Sequence, residues 1–281
     1  MRSILFILFI LFTIQQVDAG GPWTNGKKKG FFQLQATIPL GTYNRLFLED
    51  GSDLELNRGV SDFHLQAYLE YGFNDNLSFT GSLPYKFVAT NDEINPAADL
   101  PLLPSGKLNG IGNLEMALKY KFYDKSVVAA VSIKAELNSI SRDLEKGLAT
   151  GYGANGIGLY GHVGKGLHRF YTFVEGGYLF KDNNYSDDVR VNVEAGYKAV
   201  DELWFALVLD IRESMKNGNF EEANLIQTGL YPNNQEYFAF GFKTFYEFKN
   251  KIGISASSFG AFGGNYAAHL ATINIGIFKK W

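Results

Sequence analysis

Apolar and polar residues alternate along most of the chain with a period of two. Between Phe63 and Phe73 the odd positions are apolar and the even positions are mostly polar or glycine. Because successive side chains of a strand point to opposite faces, this pattern predicts a strand with one apolar and one polar face. A similar segment follows the polar turn Asn74–Asn76, so the two predict a β-hairpin.

The alternation recurs in about twelve segments, with ten or fourteen as alternative counts. They lie near residues 30–40, 62–73, 77–90, 112–122, 126–138, 155–165, 169–180, 187–198, 202–213, 236–248, 252–262 and 267–281. Long connections (41–61, 91–111, 139–154 and 214–235) alternate with tight polar turns. Long loops at one end and tight turns at the other are typical of an antiparallel transmembrane β-barrel. The connection near Gly263–Asn265 departs from this pattern because it is short.

The alternation alone does not say which face points inward, and a soluble sandwich or a lipocalin would bury the apolar one. Charges of both signs in the middle of the polar faces favour a wet or salt-bridged lumen. Aromatic residues near both ends of the segments resemble the interfacial girdles of membrane barrels. They are Phe73, Phe122, Tyr197, Trp204 and Phe248 at the turn end and Phe63, Phe87, Tyr178 and Phe238 at the other. We therefore predict an all-β transmembrane barrel with lipid outside, short periplasmic turns and long extracellular loops.

The two ends of the chain carry patterns typical of export and of assembly into a membrane. Arg2 precedes an almost unbroken apolar run, Ile4–Ile14, and Ala19 ends the segment as a signal-peptidase site requires. This predicts a cleaved signal peptide over residues 1–19 and a single barrel domain over residues 20–281, located in the bacterial outer membrane. The last strand ends on Trp281, which resembles the signal read by the barrel-assembly machinery, although Lys279 replaces the usual apolar residue.

Composition narrows the possible functions. The 26 basic and 29 acidic residues give a net charge of −3, so nothing favours a nucleic-acid partner. The chain has no cysteine, which excludes disulfides, thiolate metal sites and cysteine nucleophiles. A mean hydropathy of −0.10 is too polar for a protein with several membrane-spanning helices.

Catalytic patterns are weak. The Gly151–Gly156 segment matches G-x-G-x-x-G by letter, but a strand rather than a helix follows it, which favours a flexible loop. None of the four histidines is followed by serine at the second position, and Asp187 and Asp188 fit a solvated loop end. We predict no enzymatic activity, cofactor or metal site. A hydrolase remains a third hypothesis that requires serine or aspartate close to a histidine in space.

The polar faces of the strands supply the candidate functional residues. The candidate lumen-lining residues are Lys86, Glu115, Lys119, Lys134, Glu136, Tyr160, His162, Arg190, Glu194, Asp210, Arg212, Lys243 and Glu247. Basic and acidic side chains on these faces, which also include Glu70 and Glu175, are nearly balanced. This balance argues against a strongly ion-selective pore. Two interpretations follow: a cross-strand network that closes the lumen, or a narrow path for a small solute. Residues 20–29 could fold inward as a partial plug.

Several stretches carry a resemblance to a known group. They are Gly21–Thr24, Glu70–Phe73, Asn109–Glu115 with Lys119–Phe122, and Thr228–Pro232 before Gln235–Tyr237. Together they resemble the outer-membrane proteins of a meta-pathway phenol-degradation family. The resemblance implies uptake of aromatic or other poorly polar compounds, and it assigns no catalytic residue.

Two functions follow from these observations. The first is an outer-membrane channel or transporter for small hydrophobic or aromatic solutes, with an apolar access point at Pro101–Pro104. The second is a closed structural or surface-interaction protein whose function resides in long loops such as the one containing Glu221 and Glu222.

Overall fold

A computed structural model describes residues 20–281, so the predicted signal peptide lies outside the described residues. The described chain forms a closed antiparallel barrel of twelve strands. The strands are β1 (Gly30–Pro39), β2 (Asp53–Gly72), β3 (Leu77–Glu93), β4 (Leu114–Asp124), β5 (Val128–Leu137), β6 (Gly156–Leu167), β7 (Phe170–Lys181), β8 (Asp188–Val200), β9 (Leu203–Ser214), β10 (Glu236–Glu247), β11 (Ile252–Asn265) and β12 (Ala271–Lys280).

Each strand pairs with its neighbours in sequence, and the first strand closes the ring. In β1, Leu34 lies opposite Ala67 of β2 on one side and Ile277 of β12 on the other. Closure satisfies the backbone groups that an open sheet edge would leave unpaired, which is the condition for crossing a bilayer with strands. The predicted fold class and the strand count are confirmed.

Long and short connections alternate as predicted, but two of the long ones are partly strand. β2 begins at Asp53 and β3 continues to Glu93, so their ladder extends well beyond the predicted hairpin. Short strands at Tyr43–Phe47 and Gly106–Ile111 pair with these extensions. The link between β11 and β12 is short, as the sequence indicated, and its Ala267–Ala268 pair joins Leu46 and Phe47.

The two faces of the barrel have opposite polarity. Ile133, Leu159 and Ile277 point outward and are 58–61% exposed. On the same strands Ser132 and Tyr160 point inward and are buried. The apolar face is therefore the outer one, as predicted. In the described part of the chain no helix combines the length and the apolar character needed to cross a membrane.

One aromatic residue is misplaced in the sequence-based prediction. Trp204 does not belong to an outer girdle, because its side chain is buried inside the barrel against Phe31, Phe245 and Phe278. It stands next to the outward-facing Phe205 on β9, and the period of two alone places it inside. Phe122 does face outward at the turn end, with 59% of its surface exposed.

Candidate functional site

The first described residues lie inside the barrel. Residues 20–25, here called the N-terminal plug, occupy the lumen at the turn end, which confirms an inward position for this part of the predicted segment 20–29. The indole of Trp23 packs edge-on against Tyr171 and Phe173, with ring centroids 6.0 Å apart in both pairs. Pro22 lies against Gly164 in the wall, where any side chain would collide with the proline ring.

Two buried charged side chains hold the N-terminal plug. Lys119 of β4 donates to the carbonyl oxygen of Gly21 over 2.8 Å. Glu70 of β2 accepts from the backbone nitrogen of Gly20 at 3.2 Å and from the Asn25 amide at 3.1 Å. The plug therefore bridges opposite charges on two strands of the wall.

A row of polar side chains runs along the inner wall on the adjacent strands β5, β6 and β7. The Ser132 hydroxyl lies 2.8 Å from His162 Nε2, and His162 Nδ1 lies 3.1 Å from Glu175 Oε2. Lys134 pairs with the other oxygen of Glu175, and its ammonium lies 4.1 Å from the ring centroid of Tyr160. These groups line an inner cavity of about 130 Å³ that also reaches Gly20 and Gly21.

Nearer the long loops, one carboxylate forms ion pairs with three basic side chains. Asp188 Oδ2 lies 2.8 Å from Lys181 Nζ, 3.1 Å from Arg190 Nη2 and 2.8 Å from Arg212 Nη2. Arg190 also contacts Glu136 over 2.6 Å. The interpretation of Asp188 as a solvated loop end is wrong: this side chain is buried. The charged groups around it come from β5, β7, β8 and β9 and form a network that we call the ionic layer.

Loops cover the ionic layer from outside. Residues 138–155, 182–187 and 215–235 form what we call the loop cap. Tyr152 enters from it, with its ring 4.1 Å from the Arg212 guanidinium carbon and its hydroxyl bonded to Arg212 and Gln235. Burial raises the pKa of the Tyr152 phenol, which therefore stays protonated and donates to Gln235. The glycine-rich segment 151–156 thus carries a fixed lumen contact.

A second, outer cavity of about 300 Å³ opens beside the loop cap. It is bounded by rings and small apolar side chains, with Asp62 and His64 at one wall. The lining rings are Tyr43, Tyr231, Tyr237 and Phe259. Pro101–Pro104, the predicted access point, does not line this cavity.

The predicted lumen residues all lie on inward-facing strand positions, and the structure brings several of them together. Glu194 pairs with Lys243 over 2.9 Å, in addition to the Glu136–Arg190 pair. Lys86 lies apart, 2.8 Å from Asp62 near the outer cavity. Glu247 pairs with Lys280 at the turn end. Within residues 20–281, Glu115 and Asp210 form no ion pair; the Tyr237 hydroxyl lies 3.5 Å from Asp210.

The alternation places Glu70 among the lumen charges, but the sequence analysis did not select Ser132, Tyr152, Lys181 and Asp188 as site residues. Ser132 and Lys181 also stand on inward positions of their strands, so the alternation carried a signal for them. Asp188 begins β8, where strand and loop patterns meet. Tyr152 lies in a glycine-rich loop that has no periodic pattern.

These features place the chain among barrels of the outer-membrane type. No model of a protein family matches the sequence, and neither does any curated protein. The chain is similar in structure to an outer-membrane channel from Pseudomonas putida F1, with a TM-score of 0.72 and 12% identity over 95% of this chain and 100% of that one.

Two further solved structures share the architecture. The KdgM porin matches with a TM-score of 0.53 and 6% identity, over 89% of this chain and 99% of that one. The translocator domain of the autotransporter NalP from Neisseria meningitidis matches with a TM-score of 0.50 and 12% identity, over 92% and 88%. At identities this low, the structural similarity establishes the fold alone. The resemblance to the phenol-degradation family stays a prediction.

Proposed function

We propose that this protein is an outer-membrane channel for small solutes that carry a single aromatic ring and a polar group. The outer cavity is the observation that carries the proposal. Its volume of about 300 Å³ exceeds the roughly 150 Å³ of an apolar cavity that accommodates benzene. Four aromatic side chains line it, and it lies on the long-loop side of a polar lumen.

The cavity walls support this choice of solute. Tyr231, Tyr237 and Phe259 offer ring edges and faces for an aromatic guest. On the other wall the Asp62 carboxylate is 2.8 Å from Lys86 Nζ and 3.9 Å from His64 Nδ1. A hydroxyl or carboxyl substituent on the solute would find hydrogen-bond partners there. The site thus fits an amphipathic guest better than a purely apolar one.

The proposed location follows from the outer surface. A continuous band of aliphatic and aromatic side chains fits contact with outer-membrane lipid, with the turns on the periplasmic side. A signal peptide ending at Ala19 would export the chain, and the strand that ends at Trp281 would be recognised by the barrel-assembly machinery.

Single-channel conductance of the refolded chain, residues 20–281, tests the proposal. Discrete steps are expected, and phenol or benzoate should block them. Tyr237→Ala should weaken the block because it removes a ring from the cavity, whereas Tyr246→Ala, on the outer surface, should leave it unchanged. Silence from barrels that migrate as folded on unheated gels would contradict a channel and favour the closed structural protein.

The Ser132–His162–Glu175 row favours a second candidate, an acyl-transfer enzyme. Nucleophile, base and carboxylate stand in the order and near the distances of a serine hydrolase triad. Against it, Glu175 is shared with Lys134, and both Ser132 and His162 are buried. Covalent labelling of the folded barrel by a fluorophosphonate that disappears in Ser132→Ala would establish this activity. Absence of labelling in both proteins would exclude a reactive serine at this position.

A further inference from the structure

Glu70 is a buried carboxylate that forms no ion pair within the described part of the chain. Only 2% of its surface is exposed. Its partners are the Tyr68 hydroxyl at 2.5 Å, the Asn25 amide at 3.1 Å and the Gly20 backbone nitrogen at 3.2 Å. Among residues 20–281 no lysine, arginine or histidine pairs with it. Taking a carboxylate out of water is costly, and a neighbouring cation would offset that cost more fully than these three neutral donors do.

The Gly20 nitrogen is the atom that can supply this cation. In a chain that begins at Gly20 this nitrogen is an α-ammonium group, with a full positive charge and three donors. It already lies within hydrogen-bond distance of Glu70 Oε1. One residue further on, the Gly21 carbonyl accepts from Lys119, which is also buried. The two charged side chains therefore match the charge pattern of a free N-terminus.

The wall is shaped for the rest of the N-terminal plug. Side chains at Gly164 and Gly72 would collide with Pro22 and with the carbonyl of Gly26, respectively. Gly21 adopts a φ of +72°, which other residues rarely adopt, and a side chain there would meet the Phe173 ring. The plug and the wall of the lumen are thus complementary in shape.

We propose that Glu70 is the binding site for the chain's own α-ammonium group at Gly20, created when a leader ending at Ala19 is removed. The bound plug partly closes the turn-side mouth of the lumen. The binding site stands independently of transport, whereas the closure rests on the proposed channel function.

Acylation of the α-amine tests the binding site. Folded barrels that begin at Gly20 are treated with an N-hydroxysuccinimide acetate near neutral pH, and the tryptic peptide 20–27 is quantified by mass spectrometry. We expect labelling at least about tenfold slower than in urea, because the amine must first leave its site. A matched chain with Ser-Gly-Ser before Gly20 moves the ammonium away from Glu70 and should label at the unfolded rate. Equal rates in the two folded chains would overturn the proposal.

Glu70→Gln supplies an independent variant. It keeps the shape of the side chain but removes the charge and replaces one accepting oxygen by an NH2 donor, and it should accelerate labelling of the chain that begins at Gly20. A folded Glu70→Gln barrel whose amine stays as protected as in the unmodified chain would show that the carboxylate is not the receptor. The extended chain answers the question even if this variant fails to fold.

Conductance separates the closure from the transport proposal. A chain beginning at Gly26 lacks the plug and should conduct more than the chain beginning at Gly20. Protection of the amine with silence in both chains would refute the channel but leave the binding site standing. An unprotected amine with equal conductance in both chains would refute the plug but leave the channel standing.

Discussion

Replacing Asp188 by asparagine should destabilise the barrel by about 3 kcal/mol. Asp188 accepts from Lys181, Arg190 and Arg212, and all but the Arg190 side chain are nearly inaccessible to water. Breaking a buried ion pair by neutralising one partner typically costs about 3–5 kcal/mol. We expect the lower end because Arg190 keeps its contact with Glu136 over 2.6 Å. Arg212 likewise keeps its position over a phenol ring.

Urea unfolding in phosphocholine vesicles, followed by the gel shift between folded and unfolded barrel, measures this loss. A loss of about 3 kcal/mol corresponds to roughly a hundredfold change in the unfolding equilibrium. Asp201→Asn is the matched control: it removes the same charge from a side chain that is 91% exposed, and it should cost less than about 1 kcal/mol. If the two variants unfold alike, the ionic layer does not hold the barrel together.

Three further predictions concern other parts of the barrel. Ile133→Arg, on the outer face near the middle of β5, should cost about 2–4 kcal/mol in vesicles, whereas Phe122→Arg near the turn should cost about 0–1 kcal/mol; equal costs would contradict a lipid-facing surface. Deleting Trp281, whose backbone pairs with Gly30, should lower the fraction of folded barrel recovered from outer membranes, and Trp281→Phe should retain it. Tyr152→Ala should loosen the loop cap and raise single-channel conductance, and an unchanged conductance would mean that this ring does not obstruct the path.

The sequence predicted the strands and their faces because a barrel repeats one rule along its whole length. An outward side chain meets lipid and an inward one meets polar neighbours, so a period of two records both the strand and its orientation. The rule weakens outside the membrane zone. There β2 and β3 continue as a paired extension as far as Arg58 and Glu93, and lipid no longer constrains which residues appear.

Ionic clusters could not be derived in the same way. Lys181, Asp188 and Arg212 come from three different strands, and their meeting depends on how those strands are registered. The sequence shows which residues point inward but not their relative heights along the barrel axis. Ser132 and His162 illustrate the same limit, since they meet across a pair of strands whose residues are 30 positions apart. Loop residues such as Tyr152 carry even less information, because a tertiary contact alone fixes their place.

The pairing of β1 with β12 has a consequence for the order of assembly. It joins Thr37 to Asn274, which are 237 positions apart, while every other pair of barrel strands is linked locally along the chain. We expect this seam to form last, since closing so long a segment gains no contacts until the sheet has curled. Backbone pairing holds the seam at both ends. Gly30 pairs with Trp281 at the turn end, and Leu46–Phe47 pairs with Ala267–Ala268 at the long-loop end. These two backbone contacts therefore hold the seam closed at both ends, where a partly assembled barrel could otherwise reopen.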